Sequence, residues 1–185
     1  MAIVADDAVI GPDADLGPFV VAGVDGAGAP LVLGEGARIR SHVVLYRGST
    51  FGDRLHVGHG AVVREATTVG DDVSIGTRSV VEHHVHLADG VRLHTGCFVP
   101  EHSVLEAGAW LGPGVVVTNA RYPNRPDTKA NLEGVHIGAG AVVGAAVVLL
   151  PGVHVGEGAV VGAGAVVVQD VPDGATVVGN PGRLV

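Results

Sequence analysis

An aliphatic residue returns every six positions along most of this chain. One run opens at Leu33, Ile39 and Leu45 and continues through Val63, Ile75, Leu87 and Leu105 to Val117 without a slip. The register resumes at Ile137 and holds through Leu149 and Val161 to Val167; a weaker start is visible at Val4, Ile10 and Leu16. Four places after each aliphatic sits a mostly small residue, such as Ala37, Ser49, Thr67, Ser79 or Ala109, and Gly often follows the aliphatic directly, as at Gly34, Gly52 and Gly76. A period of six fits neither the 3.6 residues of an α-helix nor a heptad. It fits short strands joined by regular corners and stacked as a parallel β-helix. The expected fold is therefore all-β, one β-helix domain over residues 1–185.

Two segments break the period. Residues 22–32 (A-G-V-D-G-A-G-A-P-L-V) are Gly-rich and read as an irregular loop. From Val117 to Ile137 is 20 residues where six are due, so an extruded loop is expected over about residues 119–136. The core must be filled by many small contacts, because the chain is 47% hydrophobic but only 3% aromatic. Its 30 glycines suggest many tight turns, since Gly tolerates positive φ.

Composition narrows the function. A net charge of −8 argues against a nucleic-acid partner. A single cysteine, Cys97, excludes a disulfide framework and a cysteine zinc site, and its small inward slot makes it core filler. No basic leader precedes an apolar segment at the N-terminus, and no apolar run is long enough to span a bilayer, so a cytoplasmic protein without membrane contact is expected. Stretches such as G-A-G-A-V-V-G invite a dinucleotide-loop reading, but that motif needs a helix that this pattern does not offer.

The tail Val177-Val178-Gly179-Asn180-Pro181, with Arg183, resembles the V-x-G-N-P-A-[KR] ending of the hexapeptide-repeat acyltransferases. The segment Val115 to Asn124, V-V-V-T-N-A-R-Y-P-N, resembles the start of the long loop in the sugar-nucleotide N-acetyltransferases of that superfamily. The resemblance covers roughly residues 50–185 and implies a left-handed β-helix with three hexads, 18 residues, per coil. This chain departs from the pattern in its longer N-terminal region, in Ala120 where Asp is common and in Gly182 where Ala is common.

With 18 residues per coil, residues 18 apart stack about 4.8 Å apart. One outward column then reads Arg47, Glu65, His83, Glu101, Asn119, and the next reads Gly48, Ala66, His84, His102, Ala120. Arg47 and Glu65 suit a solvated ladder of alternating charge. Asn119 and Glu101, at the mouth of the loop, suit a functional site. The resemblance matches Asn119 to the Asn beside the sugar amine and Glu101 to an acidic residue one coil earlier. It implies acetyl-CoA as co-substrate, lying along backbone near Gly144, Ala145, Gly162 and Ala163, with Arg183 near its phosphates. It also implies a homotrimer with active sites between neighbouring copies.

The expected reaction moves an acetyl group from acetyl-CoA to an amine of a nucleotide-linked amino sugar. Glu101, His102 or His83 are candidate bases, Asn119 orients the amine, and His84, Arg121, Tyr122 and Arg125 are candidate substrate contacts. No metal is expected. An O-acetyltransferase with a histidine base is the principal alternative. A metal site like that of the γ-class carbonic anhydrases and a non-catalytic scaffold are weaker ones. The remaining histidines read as surface or subunit contacts, and outward-facing Trp110 as a subunit contact.

Overall fold

The computed structural model describes residues 1–26 and 28–185; the part of the 22–32 loop expectation that falls on Ala27 lies outside the described residues. Among the described residues the chain folds into parallel sheets stacked as a solenoid of about ten turns, consistent with a left-handed β-helix. Strands of two residues each form three sheets of nine, eight and ten strands. The first sheet runs from Ile3–Val4 to Val166–Val167, the second from Val9–Ile10 to His154–Val155, and the third from Asp15–Leu16 to Thr176–Val178. The third ends on the antiparallel strand Arg183–Leu184. Pairing follows the period: Val62 opposes Val80, Ser74 opposes Arg92 and Thr68 opposes His86, each 18 residues on.

The six-residue repeat sets the burial. From Leu33 onward the aliphatic of each hexad points inward and is buried, as at Leu45, Val63 and Ile75, while Val4, Ile10 and Leu16 of the first coil are partly buried. The small residue four places on fills the interior of the next corner, as at Ala37, Val73 and Cys97. Where that slot holds a hydroxyl, it is bonded. Ser49 donates to the Arg64 carbonyl at 2.8 Å and accepts from the Thr67 amide, while Thr67 donates to the Glu82 carbonyl at 3.0 Å. No buried side-chain nitrogen or oxygen lacks a partner among the described residues.

The glycines serve two ends, and only one is positive φ. The residue three places after the aliphatic takes the left-handed conformation at nearly every corner, including non-Gly residues such as Arg54, His84 and His102. The glycine directly after the aliphatic has another reason. A Cβ on Gly76 would lie 2.3 Å from the backbone carbon of His94 and 2.5 Å from the Thr95 nitrogen, in the coil above. The strand spacing holds that backbone in place, so it cannot yield. Gly76→Ala should therefore destabilise the chain by about 2–4 kcal/mol, read as a lowered midpoint in denaturant.

Both insertions leave the helix at the same corner, where the chain passes from the first sheet to the second. Between Val21–Ala22 and Val32–Leu33 the chain bends outward, and between Val116–Val117 and His136–Ile137 it forms the long loop, with a single 3-10 turn at Thr128–Asn131. The Gly-rich loop is tied down by the Asp25 and Ala29 carbonyls, which accept from the Arg47 and Gly48 amides. This first corner thus carries a column of side chains bounded by a loop at each end. No helix is long and apolar enough to cross a membrane among the described residues.

Candidate functional site

After the first-sheet strands from Val44–Leu45 to Val116–Val117 the chain carries Tyr46, Arg64, Glu82, Pro100 and Thr118 rather than glycine. At the centre, Glu101 Oε2 lies 2.7 Å from His83 Nε2, and His83 Nδ1 lies 2.7 Å from His84 Nδ1. Glu101 and His83 are mostly covered, their side chains 22% and 25% exposed. The carboxylate can only accept, which places a proton on His83 Nε2. The contact between the two Nδ1 atoms then needs a proton on one of them. The result is a carboxylate–imidazole–imidazole chain across two coils whose outer end is the free Nε2 of His84.

Asn119 sits above Glu101, but its amide does not meet the carboxylate. Nδ2 donates to the Glu101 backbone carbonyl at 3.3 Å. That bond turns Oδ1 away, free to accept. His102 is not joined to the chain by a hydrogen bond: it takes φ 67°, is exposed, and its ring centre lies 5.9 Å from that of His84.

The alternating ladder expected at the lower end is replaced by different pairs. Arg47 reaches back to Asp7 at 2.9 Å, because the Gly-rich loop passes beside it. Glu65 pairs with its neighbour Arg64 at 2.8 Å, and Arg64 also holds Glu82 at 2.9 Å and lies over the Tyr46 ring. The 18-residue step alone sets Arg64 between Tyr46 and Glu82. Burial opposes the charge on Glu65, but its own backbone amide, Arg64 and His83 overcome this and hold the carboxyl below its usual range. A group with a lowered folded pKa stabilises above the ordinary carboxylate range and loses that contribution as pH falls through the lowered value. The difference in melting temperature between the wild type and Glu65→Gln should therefore be largest near neutrality and vanish in acid.

The loop residues are exposed and hold one another. Arg121 donates to the Pro151 carbonyl at 3.2 Å and lies 3.7 Å from Glu133, while the Arg125 guanidinium covers the Tyr122 ring at 4.0 Å. With Asp127, Thr128, Asn131 and Glu133 they line a pocket of about 250 Å³. Among the described residues no hydrogen bond or ion pair joins them to the Glu101–His83–His84 chain.

Gly144, Ala145, Gly162 and Ala163 stack at another corner, between the third sheet and the first. Their backbone approaches closely: a Cβ on Gly144 would lie 2.5 Å from the Ala163 nitrogen. The Ala145 and Ala163 amides donate to no backbone carbonyl. Arg183 lies elsewhere, on the tail strand, lining a groove with Gln169 and Asp170. Among the described residues no three His, Cys, Asp or Glu side chains are placed to hold a metal ion.

Residues 134–169 match the family described as bacterial transferase hexapeptide (six repeats), and residues 66–100 match that described as hexapeptide repeat of succinyl-transferase. Both families are built on hexapeptide repeats, and the two matches support the hexapeptide-repeat acyltransferase superfamily for this chain. Among solved structures, it is similar to the acetyltransferase domain of PglB from Neisseria gonorrhoeae in complex with acetyl coenzyme A. The identity is 27% over 77% of this chain, and the TM-score is 0.50. The chain spans 57% of the length of that structure. The UDP-N-acetylglucosamine acyltransferase from Campylobacter jejuni shares the fold, with a TM-score of 0.72 over 100% of this chain and 72% of its own, at 17% identity. No curated protein matches the chain.

Proposed function

We propose that this protein transfers an acetyl group from acetyl-CoA to an amine of a nucleotide-linked amino sugar, at a site completed between two of three copies. The observation that carries the reading is the Glu101–His83–His84 chain beside Asn119, at the mouth of the long loop. An amine nucleophile must arrive neutral and shed a proton as it attacks the thioester. Glu101 holds His83, and through it His84, in one tautomer, so that the free Nε2 of His84 takes that proton. Asn119 Oδ1 directs the amine, and positioning supplies much of the remaining acceleration. An acetyl-CoA complex in the PglB domain supports this donor.

The outer face of the first sheet supports the assembly. Its nine rungs present Ile3, Val21, Val44, Val62, Val80, Phe98, Val116, Val148 and Val166, with no polar residue among them. Phe98 and Val116 are 36% and 39% exposed. A continuous apolar stripe of this length supports contact with another protein chain, since exposed apolar patches commonly serve association. That face is bounded on one edge by the Glu101 corner and on the other by the Gly144–Ala163 corner. If three copies turn this face to a common axis, the Glu101 corner of one lies beside the donor corner of the next.

A hydroxyl acceptor is the second reading, because the same carboxylate-oriented imidazole, with Glu101 2.7 Å from His83, would also serve a weakly acidic hydroxyl. The test is thiol release from acetyl-CoA by the purified protein, with product analysis on amino-sugar nucleotides and on their hydroxyl counterparts. The N-acetylated product is expected, with activity greatly reduced in Asn119→Ala. Release with hydroxyl acceptors alone selects the second reading. Full activity in Asn119→Ala removes that residue from the site.

A further inference from the structure

The chain carries 11 Lys and Arg against 19 Asp and Glu, yet its arginines are not spread evenly. On the outer face of the third sheet, consecutive rungs read Arg38, His56, Ser74, Arg92 and Trp110. Ser74 is short, so a groove forms over it between longer side chains on either side. It measures about 350 Å³, and Arg38, Arg40, His56, Arg92, His94 and Thr95 line it together with bare backbone at Gly58 and Gly76. No carboxylate lines it among the described residues; Asp15 stands on the rung before Arg38, and Asp72 lines the adjoining pocket with Arg38, His56 and Arg92. Among the described residues, ion pairs involve Arg47, Arg54, Arg64 and Arg121 but none of the three groove arginines. Arg38 is held only by the Asp13 and Ala37 carbonyls, which steady it without neutralising it. The Thr77 and Thr95 amides, at the groove floor, donate to no backbone carbonyl. Beyond Arg92, Trp110 packs on the His94 ring at 4.6 Å and closes that end with an aromatic surface.

We propose that this third-sheet groove is a diphosphate-binding site that holds the nucleotide part of the acceptor. Three guanidiniums outside any ion pair, and two amides that bond no backbone carbonyl, surround a short serine and match the charge and hydrogen-bond capacity of a diphosphate. The assignment to the acceptor rests on the function proposed above and follows from position along the axis. The groove spans coils that precede Glu101 and Asn119, whereas Gly144 to Ala163 lie on coils that follow them. Donor and acceptor thus approach the Glu101 level from opposite ends. The groove also borders the corner between the third sheet and the first, the edge that the three-copy arrangement lays beside a neighbour's His83.

Calorimetric titration of the full-length protein with inorganic pyrophosphate, with uridine diphosphate and with acetyl-CoA tests this without requiring turnover. Pyrophosphate and uridine diphosphate are expected to compete for one site. Both should weaken tenfold or more in Arg92→Ala and in Arg38→Ala, and weaken with added salt, while acetyl-CoA binding stays within twofold. Unchanged diphosphate affinity in both variants, or no diphosphate binding by the wild type, overturns the site. Acetyl-CoA affinity that falls in parallel would give the groove to the donor and overturn its assignment to the acceptor. Circular dichroism and thermal melts verify that each variant is folded. A protein that binds diphosphate here but transfers no acetyl group would leave the site standing and refute the function proposed for the first corner.

Discussion

Glu101→Gln is expected to lower kcat by about 10²–10⁴-fold while leaving the affinity for acetyl-CoA unchanged. The substitution keeps the shape of the side chain and removes its charge. Glu101 now accepts from His83 Nε2 at 2.7 Å, with both groups largely covered, and so fixes the tautomer of His83 and supports a positive charge on the imidazole pair. A glutamine amide loses that electrostatic support and admits the wrong tautomer. Because the proposed donor column stands at a different corner, the acetyl-CoA dissociation constant serves as the internal control. A parallel loss of donor binding would mean that Glu101 positions the cofactor rather than the proton.

Val80→Asp is expected to separate the copies and abolish turnover, even though Val80 lies far from any reacting group. It sits midway along the apolar stripe of the first sheet, between Val62 and Phe98. In an isolated chain the new carboxylate would reach water, so the fold should survive. In the assembly it would be buried without a partner near the axis, in every copy at once, at a cost of several kcal/mol each. Sedimentation should show single copies with an unchanged circular dichroism spectrum. Unaltered assembly would place the interface on another face and remove the argument that the site is shared.

Much of the scaffold was legible because a period of six leaves little freedom. Once aliphatics recur without a slip from Leu33 to Val117, the pairing of Val62 with Val80 follows from counting. The column that sets Asn119 over Glu101 and His83 follows from the same count. Counting gives neighbours but not which atoms meet. It set Asn119 beside Glu101, yet the amide bonds the backbone carbonyl, and it is His83 that meets the carboxylate. It also failed at Arg47, whose partner Asp7 is reached across the Gly-rich insertion, which shifts the local register.

The glycines show the same limit from the other side. Their number suggested positive φ, and many corners have it, but His84 and His102 adopt it without being glycine. Gly76 is required instead by the backbone of the coil above, a demand that no single hexad displays. The apolar stripe and the basic groove lie on sheet faces, at the position just before each inward aliphatic, which the corner columns do not include. Read at steps of 18, Val44, Val62, Val80 and Phe98 already separate from Arg38, His56, Ser74 and Arg92.

The central claim is that chemistry occurs at the first corner of one copy, with donor held on the corner of the next. A crystal structure of the protein with bound CoA tests it most directly. The account predicts the pantetheine arm along Gly144, Ala145, Gly162 and Ala163 of one copy, with its thiol directed at Glu101, His83 and Asn119 of a neighbour. A thiol lying along the second corner, or one approached only by residues of the same copy, would contradict it.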